Sequence, residues 1–120
     1  MIYYTRIYKT LLIATVIYLS VHTTKVQAAD VTGALDCTNP LTIADTRYIL
    51  TATTTGNCVI SANNIIIDGQ GLYGIDGNVT SETQNIDLRN LNVTGHVQSN
   101  SSSGTAGNIS IASSTVSGYV

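Results

Sequence analysis

Three segments of this chain align without a gap: NIIIDGQGLYG (64–74), NIDLRNLNVTG (85–95) and NISIASSTVSG (108–118). Each opens with Asn, continues with Ile and closes with Gly. The openings Asn64, Asn85 and Asn108 are 85 − 64 = 21 and 108 − 85 = 23 residues apart. Behind them run the columns Ile65/Ile86/Ile109, Ile67/Leu88/Ile111, Leu72/Val93/Val116 and Gly74/Gly95/Gly118. A period of this size limits the chain to architectures whose repeated units must stack to bury their apolar faces.

The middle copy shows what one unit is. Side chains of a strand alternate between faces with period two. Ile86 and Leu88 therefore point inward, and Asp87 and Arg89 outward. Leu91 and Val93 are also inward, yet Leu88 to Leu91 is a step of three, so parity breaks between them. A bend at Arg89–Asn90 restores it on a new strand, and Asp68–Gly69 supplies a turn dipeptide at the same place in the first copy. Two short strands, a bend, a Gly turn and a longer return make one coil. Stacked coils place each strand parallel to its counterpart, about 4.8 Å away. The fold class expected is all-β, a parallel β-helix of about four coils. Leucine-rich repeats share the period, but they need a Leu framework that this chain lacks.

The Asn and Gly columns read as scaffold. Asn tolerates left-handed backbone angles, and Asn64, Asn85 and Asn108 are expected to stack as a buried hydrogen-bonded ladder. Gly74, Gly95 and Gly118 are expected at a turn of positive φ. Cys37 and Cys58 lie 58 − 37 = 21 residues apart, one coil, so a disulfide between them is expected. Such a crosslink stabilises by about 3 kcal/mol in the chain-entropy account.

The chain divides into three parts. In residues 1–28, Arg6 and Lys9 precede the apolar run LLIATVIYLSV (11–21), and small residues follow at VQAAD. This reads as a secretory signal peptide cut after Ala28 or Ala29. The run is short for a membrane span, which needs about 20 apolar residues, so no stable span is expected after cleavage; an uncleaved anchor is the alternative. Residues 29–57 form an entry region and an irregular first coil, with Ile43 standing where the period asks for Asn. Residues 58–120 carry the repeats, with no cap after the last Gly, as in a truncated fragment.

Export leaves two basic residues, Arg47 and Arg89, against seven acids, so 2 − 7 = −5. Nucleic acid is excluded as a partner, since phosphate binding needs clustered Lys and Arg. Phe and Trp are absent and Pro40 is the single proline. β-branched residues recur too regularly for a disordered chain.

GNCVISANNIIIDGQG (56–71), with the two later repeats and the preceding CTNPLTIADTRYILTATTT (37–55), resembles secreted right-handed parallel β-helix proteins of the pectate-lyase-like superfamily. The resemblance covers about residues 37 to 120. It implies a right-handed solenoid and a secreted, cell-surface or periplasmic location. It also implies kinship with polysaccharide lyases and glycoside hydrolases, though this fold hosts many functions.

The residues themselves favour no chemistry. A lyase of this kind needs a calcium-carboxylate site beside a base, and no Lys follows residue 28. Hydrolysis needs two carboxylates at a working separation. Asp87 shares its column with Ile66 and Ser110, and Asp68 shares one with Arg89 and Ala112, so no acid pair emerges. Arg89 is expected to form an exposed ion pair with Asp68. Asp68, Asp76 and Asp87 read as turn acids rather than a calcium cage. His96, in TGHV (94–97), reads as a turn residue. The sequons at Asn78, Asn92, Asn100 and Asn108 matter only in a glycosylating host.

The expectation is therefore a non-catalytic exported module, adhesive or glycan-binding, with no catalytic residue, metal or cofactor. Its partners would be polysaccharides or cell-surface glycans, met through outward Thr, Asn, Ser and Tyr73. The open final coil is expected to favour end-to-end self-association. The alternative is an N-terminal fragment of a carbohydrate-active enzyme whose catalytic coils follow Val120.

Overall fold

The computed structural model describes residues 29–120; the leader expected over 1–28 lies outside them. Twelve strands form in chain order. They are β1 (Ala29–Gly33), β2 (Thr46–Leu50), β3 (Thr54–Thr55), β4 (Cys58–Ile60), β5 (Ile66–Asp68), β6 (Gly74–Asp76), β7 (Val79–Ser81), β8 (Ile86–Arg89), β9 (Asn92–Val93), β10 (Val97–Ser99), β11 (Ile109–Ala112) and β12 (Thr115–Val116). They assemble into three sheets, ordered β1-β2-β5-β8-β11, β12-β9-β6-β3 and β10-β7-β4. Every pairing is parallel. From β2 onward the chain visits a strand of the first sheet, then the second, then the third, and repeats. The result is a β-solenoid of about four coils, as the repeat requires.

Period two holds within the first sheet. Ile86 and Leu88 of β8 are fully buried, while Arg89 is exposed. Parity resets where the sequence asks for it: Asn90 sits in the left-handed region at φ 51°, and Ser113 does the same one coil later at φ 50°. Leu91 and Val93 then turn inward again. The core is a stack of aliphatic layers, with Leu50, Ile60, Ile65, Ile67, Ile75, Val79, Ile86, Leu88, Val93 and Val97 at its centre. The first coil is regular from β2 onward. Asp45, at φ 56°, occupies the corner that Asn64 fills at φ 57°, so the counterpart of Asn64 is Asp45 rather than Ile43. The two corners are tied directly, Asn64 Nδ2 donating to Asp45 Oδ1 at 2.6 Å.

The second sheet departs from the gap-free alignment. Val93 pairs with Ile75, not with Leu72, and Gly74 pairs with Asn92 rather than aligning with Gly95. Between Asp68 (opposite Arg89) and Gly74 (opposite Asn92) lie five residues, 69–73; the next coil has two, 90–91. The three extra residues bulge outward through Gln70 and Gly71, both at positive φ. Leu72 is carried into solvent, 77% exposed.

The glycine column is accordingly Gly77, Gly95 and Gly118, linked by backbone bonds from Gly95 N to Gly77 O and from Gly118 N to Gly95 O. Gly74, Gly95 and Gly118 are not at positive φ. Close approach of the neighbouring coil selects them. A Cβ on Gly95 would overlap Gly77 O and Asn78 Oδ1, and one on Gly74 would overlap Asn92 O.

The expected Asn ladder is also displaced. Asn64, Asn85 and Asn108 are exposed rather than buried. One step exists, Asn108 N donating to Asn85 Oδ1 at 2.8 Å. A continuous ladder runs instead just after the glycines. Asn78 N donates to Asn57 Oδ1 (3.0 Å), His96 N to Asn78 Oδ1 (2.8 Å) and Tyr119 N to His96 Nδ1 (3.1 Å). Its intervals are 21, 18 and 23 residues. At the first coil, Cys37 and Cys58 form a disulfide with Cα atoms 4.5 Å apart, pinning the entry segment that also places Leu35 and Leu41 over the core.

Candidate functional site

Both arginines of the described residues project from the outer face of the first sheet. Strand register lines up Asp30, Arg47, Ile66, Asp87 and Ser110 in one outward column, and Thr32, Ile49, Asp68, Arg89 and Ala112 in the next. This face has the densest charge, and Asp68 and Asp87 each pair with an arginine there. Asp68 is buried and takes Arg47 as its partner, at 2.5 Å, across the diagonal between adjacent coils. It also accepts from Gln70 N (2.9 Å) and Asn90 Nδ2 (3.3 Å). One carboxylate thus braces three successive coils. Burial alone would raise its pKa; the hydrogen bonds from Arg47, Gln70 and Asn90, with the Arg47 charge, outweigh burial and hold it below the usual carboxylate range.

Arg89 does not pair with Asp68 as its column suggested. It folds back along its own strand onto Asp87, donating through Nε (3.1 Å) and Nη2 (2.8 Å). Those hydrogen bonds raise the pKa of the Arg89 guanidinium. Asp76 accepts from Thr94 Oγ1 at 2.7 Å. Asp68, Asp76 and Asp87 are thus committed to three different partners. Among the described residues, no group of three His, Cys, Asp or Glu is placed to hold a metal ion. His96 is taken up by the ladder, and its ring stacks on Tyr119 with centroids 3.8 Å apart and planes 16° apart.

The concave surface lies on the other flank, along the third sheet. Two shallow grooves meet at Glu82, the first residue beyond β7. One, of about 490 Å³, is lined by Val59, Thr80, Ser81, Glu82, Asn100, Ser101 and Ser102. The other, of about 370 Å³, is lined by Val59, Ile60, Ser61, Glu82, Thr83 and Gln84. The local sequence explains the trough. Val59 and Thr80 are the outward residues of β4 and β7, while the segments leaving β7 and β10 are Ser-, Thr- and Asn-rich and form its rims. Ser101 Oγ is buried there without a hydrogen-bond partner in the protein. The lining offers hydroxyls, amides, one carboxylate and an aliphatic floor, and no cation.

Of the outward residues expected to meet a ligand, Tyr73 borders a smaller hollow of about 130 Å³ at the bulge, with Leu72, Asn90, Asn92 and Ser113. Sequence reasoning missed the trough because it is made by loop residues with no repeat signature. Its legible signal was the pair of polar runs SETQ (81–84) and NSSS (100–103), one coil apart. No helix among the described residues is long and apolar enough to cross a membrane. Comparison of the chain with protein-family models, with curated proteins and with solved structures found no match.

Proposed function

We propose that this chain is an exported, non-catalytic β-solenoid module that binds neutral glycans at a cell surface through the trough beside Glu82. Membership of the right-handed pectate-lyase-like superfamily, cleavage of the leader and a location outside the cytoplasm are parts of the same reading. The observation that carries it is the lining of the trough. Hydroxyls and carboxamides on Thr80, Ser81, Thr83, Gln84, Asn100, Ser101 and Ser102 match sugar hydroxyls as donors and acceptors. Val59 supplies an apolar strip for a pyranose face. Glu82 disfavours uronates and sulfated sugars, and both arginines lie on another sheet. The shallow trough and the absence of aromatic lining point to weak binding that gains strength through multivalency.

The supporting evidence against chemistry is geometric. Asp68 and Asp87 each neutralise a guanidinium and Asp76 accepts a hydroxyl, and general acid–base catalysis needs such groups free to reach a substrate. The test is a panel of neutral and acidic polysaccharides, read by binding and by product release. Retention of neutral glycans, lost in Thr80→Val with Asn100→Ala, supports the proposal. Turnover abolished by Asp87→Ala or Arg89→Ala would replace it with the enzyme reading.

A further inference from the structure

We propose that His96 makes the docking of the fourth coil onto the third sensitive to protonation. The proposal stands on the ladder and is independent of any glycan. At two of its three steps the acceptor is a carboxamide oxygen, on Asn57 and Asn78, whose lone pairs persist across the physiological pH range. At the third step the acceptor is the imidazole nitrogen Nδ1, 3.1 Å from Tyr119 N. A neutral imidazole accepts there only as the tautomer protonated on Nε2. Imidazolium carries a proton on Nδ1 as well, so two donors would face each other. Rotating the ring does not help, because it replaces Nδ1 with a carbon. The ring is also held in place, stacked against Tyr119 and lying where a Cβ on Gly118 would sit.

Among the described residues, no carboxylate is bonded to His96. From the second coil, the Asn78 carboxamide faces it and is occupied by His96 N. From the fourth coil come Gly118 and the Tyr119 phenol, whose Oη is 3.5 Å from Gln98 Oε1. The acid of the adjoining strand, Asp76, is bonded to Thr94 Oγ1. The coil that depends on this contact is lightly held. Ile109, Ile111 and Val116 are only partly buried, whereas their third-coil counterparts Ile86, Leu88 and Val93 are fully buried. Loss of one hydrogen bond therefore weighs more here than elsewhere. Mild acid is the trigger: the fourth coil is docked while the imidazole is neutral and loosened once Nδ1 carries a proton.

Amide hydrogen exchange on the full chain, corrected for the intrinsic pH dependence of exchange, tests this at pH 7.5 and 5.0. Protection of the Tyr119 and Val97 amides should fall about tenfold in acid relative to Cys58, the loss expected for one hydrogen bond. His96→Asn restores the acceptor used in the two preceding coils and should keep its protection at both pH values, with His96→Gln as a second non-titrating variant should the first fold poorly. Nitrogen NMR of the imidazole should show an unprotonated Nδ1 at pH 7.5. The same acid loosening in His96→Asn, no loosening in the native chain, or a protonated Nδ1 at pH 7.5 would each overturn the proposal.

Discussion

Replacing Asp68 by alanine should cost more than any other surface-facing change in this solenoid. The carboxylate accepts from the Arg47 guanidinium, the Gln70 amide and the Asn90 carboxamide, and so ties three coils together. Charged hydrogen bonds contribute roughly 1.5–3 kcal/mol, and orphaning one partner of a buried pair costs about 3–5 kcal/mol. The Arg47 side chain is 37% exposed, so water recovers part of its solvation and the upper figure does not apply. We expect about 2–3 kcal/mol for Asp68→Ala and about 1–2 kcal/mol for Asp68→Asn, which keeps an acceptor for Gln70 N. The sign of the pH dependence follows from the depressed folded pKa. Stabilisation is fully present above the unfolded value of about 3.9 and is lost as pH falls through the lower folded value. The Asp68→Ala deficit should therefore be constant from neutral pH to about 5 and shrink below about 4. Urea denaturation of the native chain, both variants and Arg47→Ala, singly and combined, measures this. A deficit under about 0.5 kcal/mol, or additive Asp68 and Arg47 effects, would refute the bracing role.

Four other outcomes are expected. Leu72→Ser should be neutral within about 0.5 kcal/mol and Ile75→Ala should cost about 2–5 kcal/mol; the reverse order in denaturation midpoints would restore Leu72 to the core column. Gly95→Ala should destabilise by about 1–3 kcal/mol through overlap with Gly77 O, whereas Gly104→Ala, whose Cβ would have 3.6 Å to its nearest neighbour, should leave thermal unfolding unchanged. Removing the disulfide with Cys37→Ser and Cys58→Ser should cost about 3 kcal/mol, and peptide mapping without reductant should recover the Cys37–Cys58 link from the native chain. Asn85→Ala should lose only the bond to Asn108 N, about 1 kcal/mol, leaving the buried layers intact by near-ultraviolet spectroscopy.

The first sheet was legible in the sequence because its register is uninterrupted. Ile65, Ile86 and Ile109 hold one column, and the parity break at Asn90 announces its own bend. The second sheet was misread for a definite reason. An outward bulge leaves the core unchanged while shifting all later residues, so a gap-free alignment forces exposed Leu72 onto buried Val93. A better anchor was present in GNC (56–58), GNV (77–79), GHV (95–97) and GYV (118–120). Its intervals vary, which hides it from a search at fixed period. Pairing of Arg47 with Asp68 was not legible because it crosses the register diagonally, and columns reveal only straight neighbours. The trough at Glu82 escaped for a third reason: its walls are loops of unequal length, and they carry no periodicity.

The pairing geometry also fixes how the molecule bears a load. Parallel strands in successive coils are joined by hydrogen bonds directed along the stack. Tension applied between the first and last coils therefore pulls on the bonds end-on. Coils should peel away singly, each releasing about twenty residues of contour at low force. The Cys37–Cys58 link interrupts that sequence, since the segment it closes cannot extend. The first coil becomes a hard stop, and the rest of the stack behaves as an extensible tether behind it.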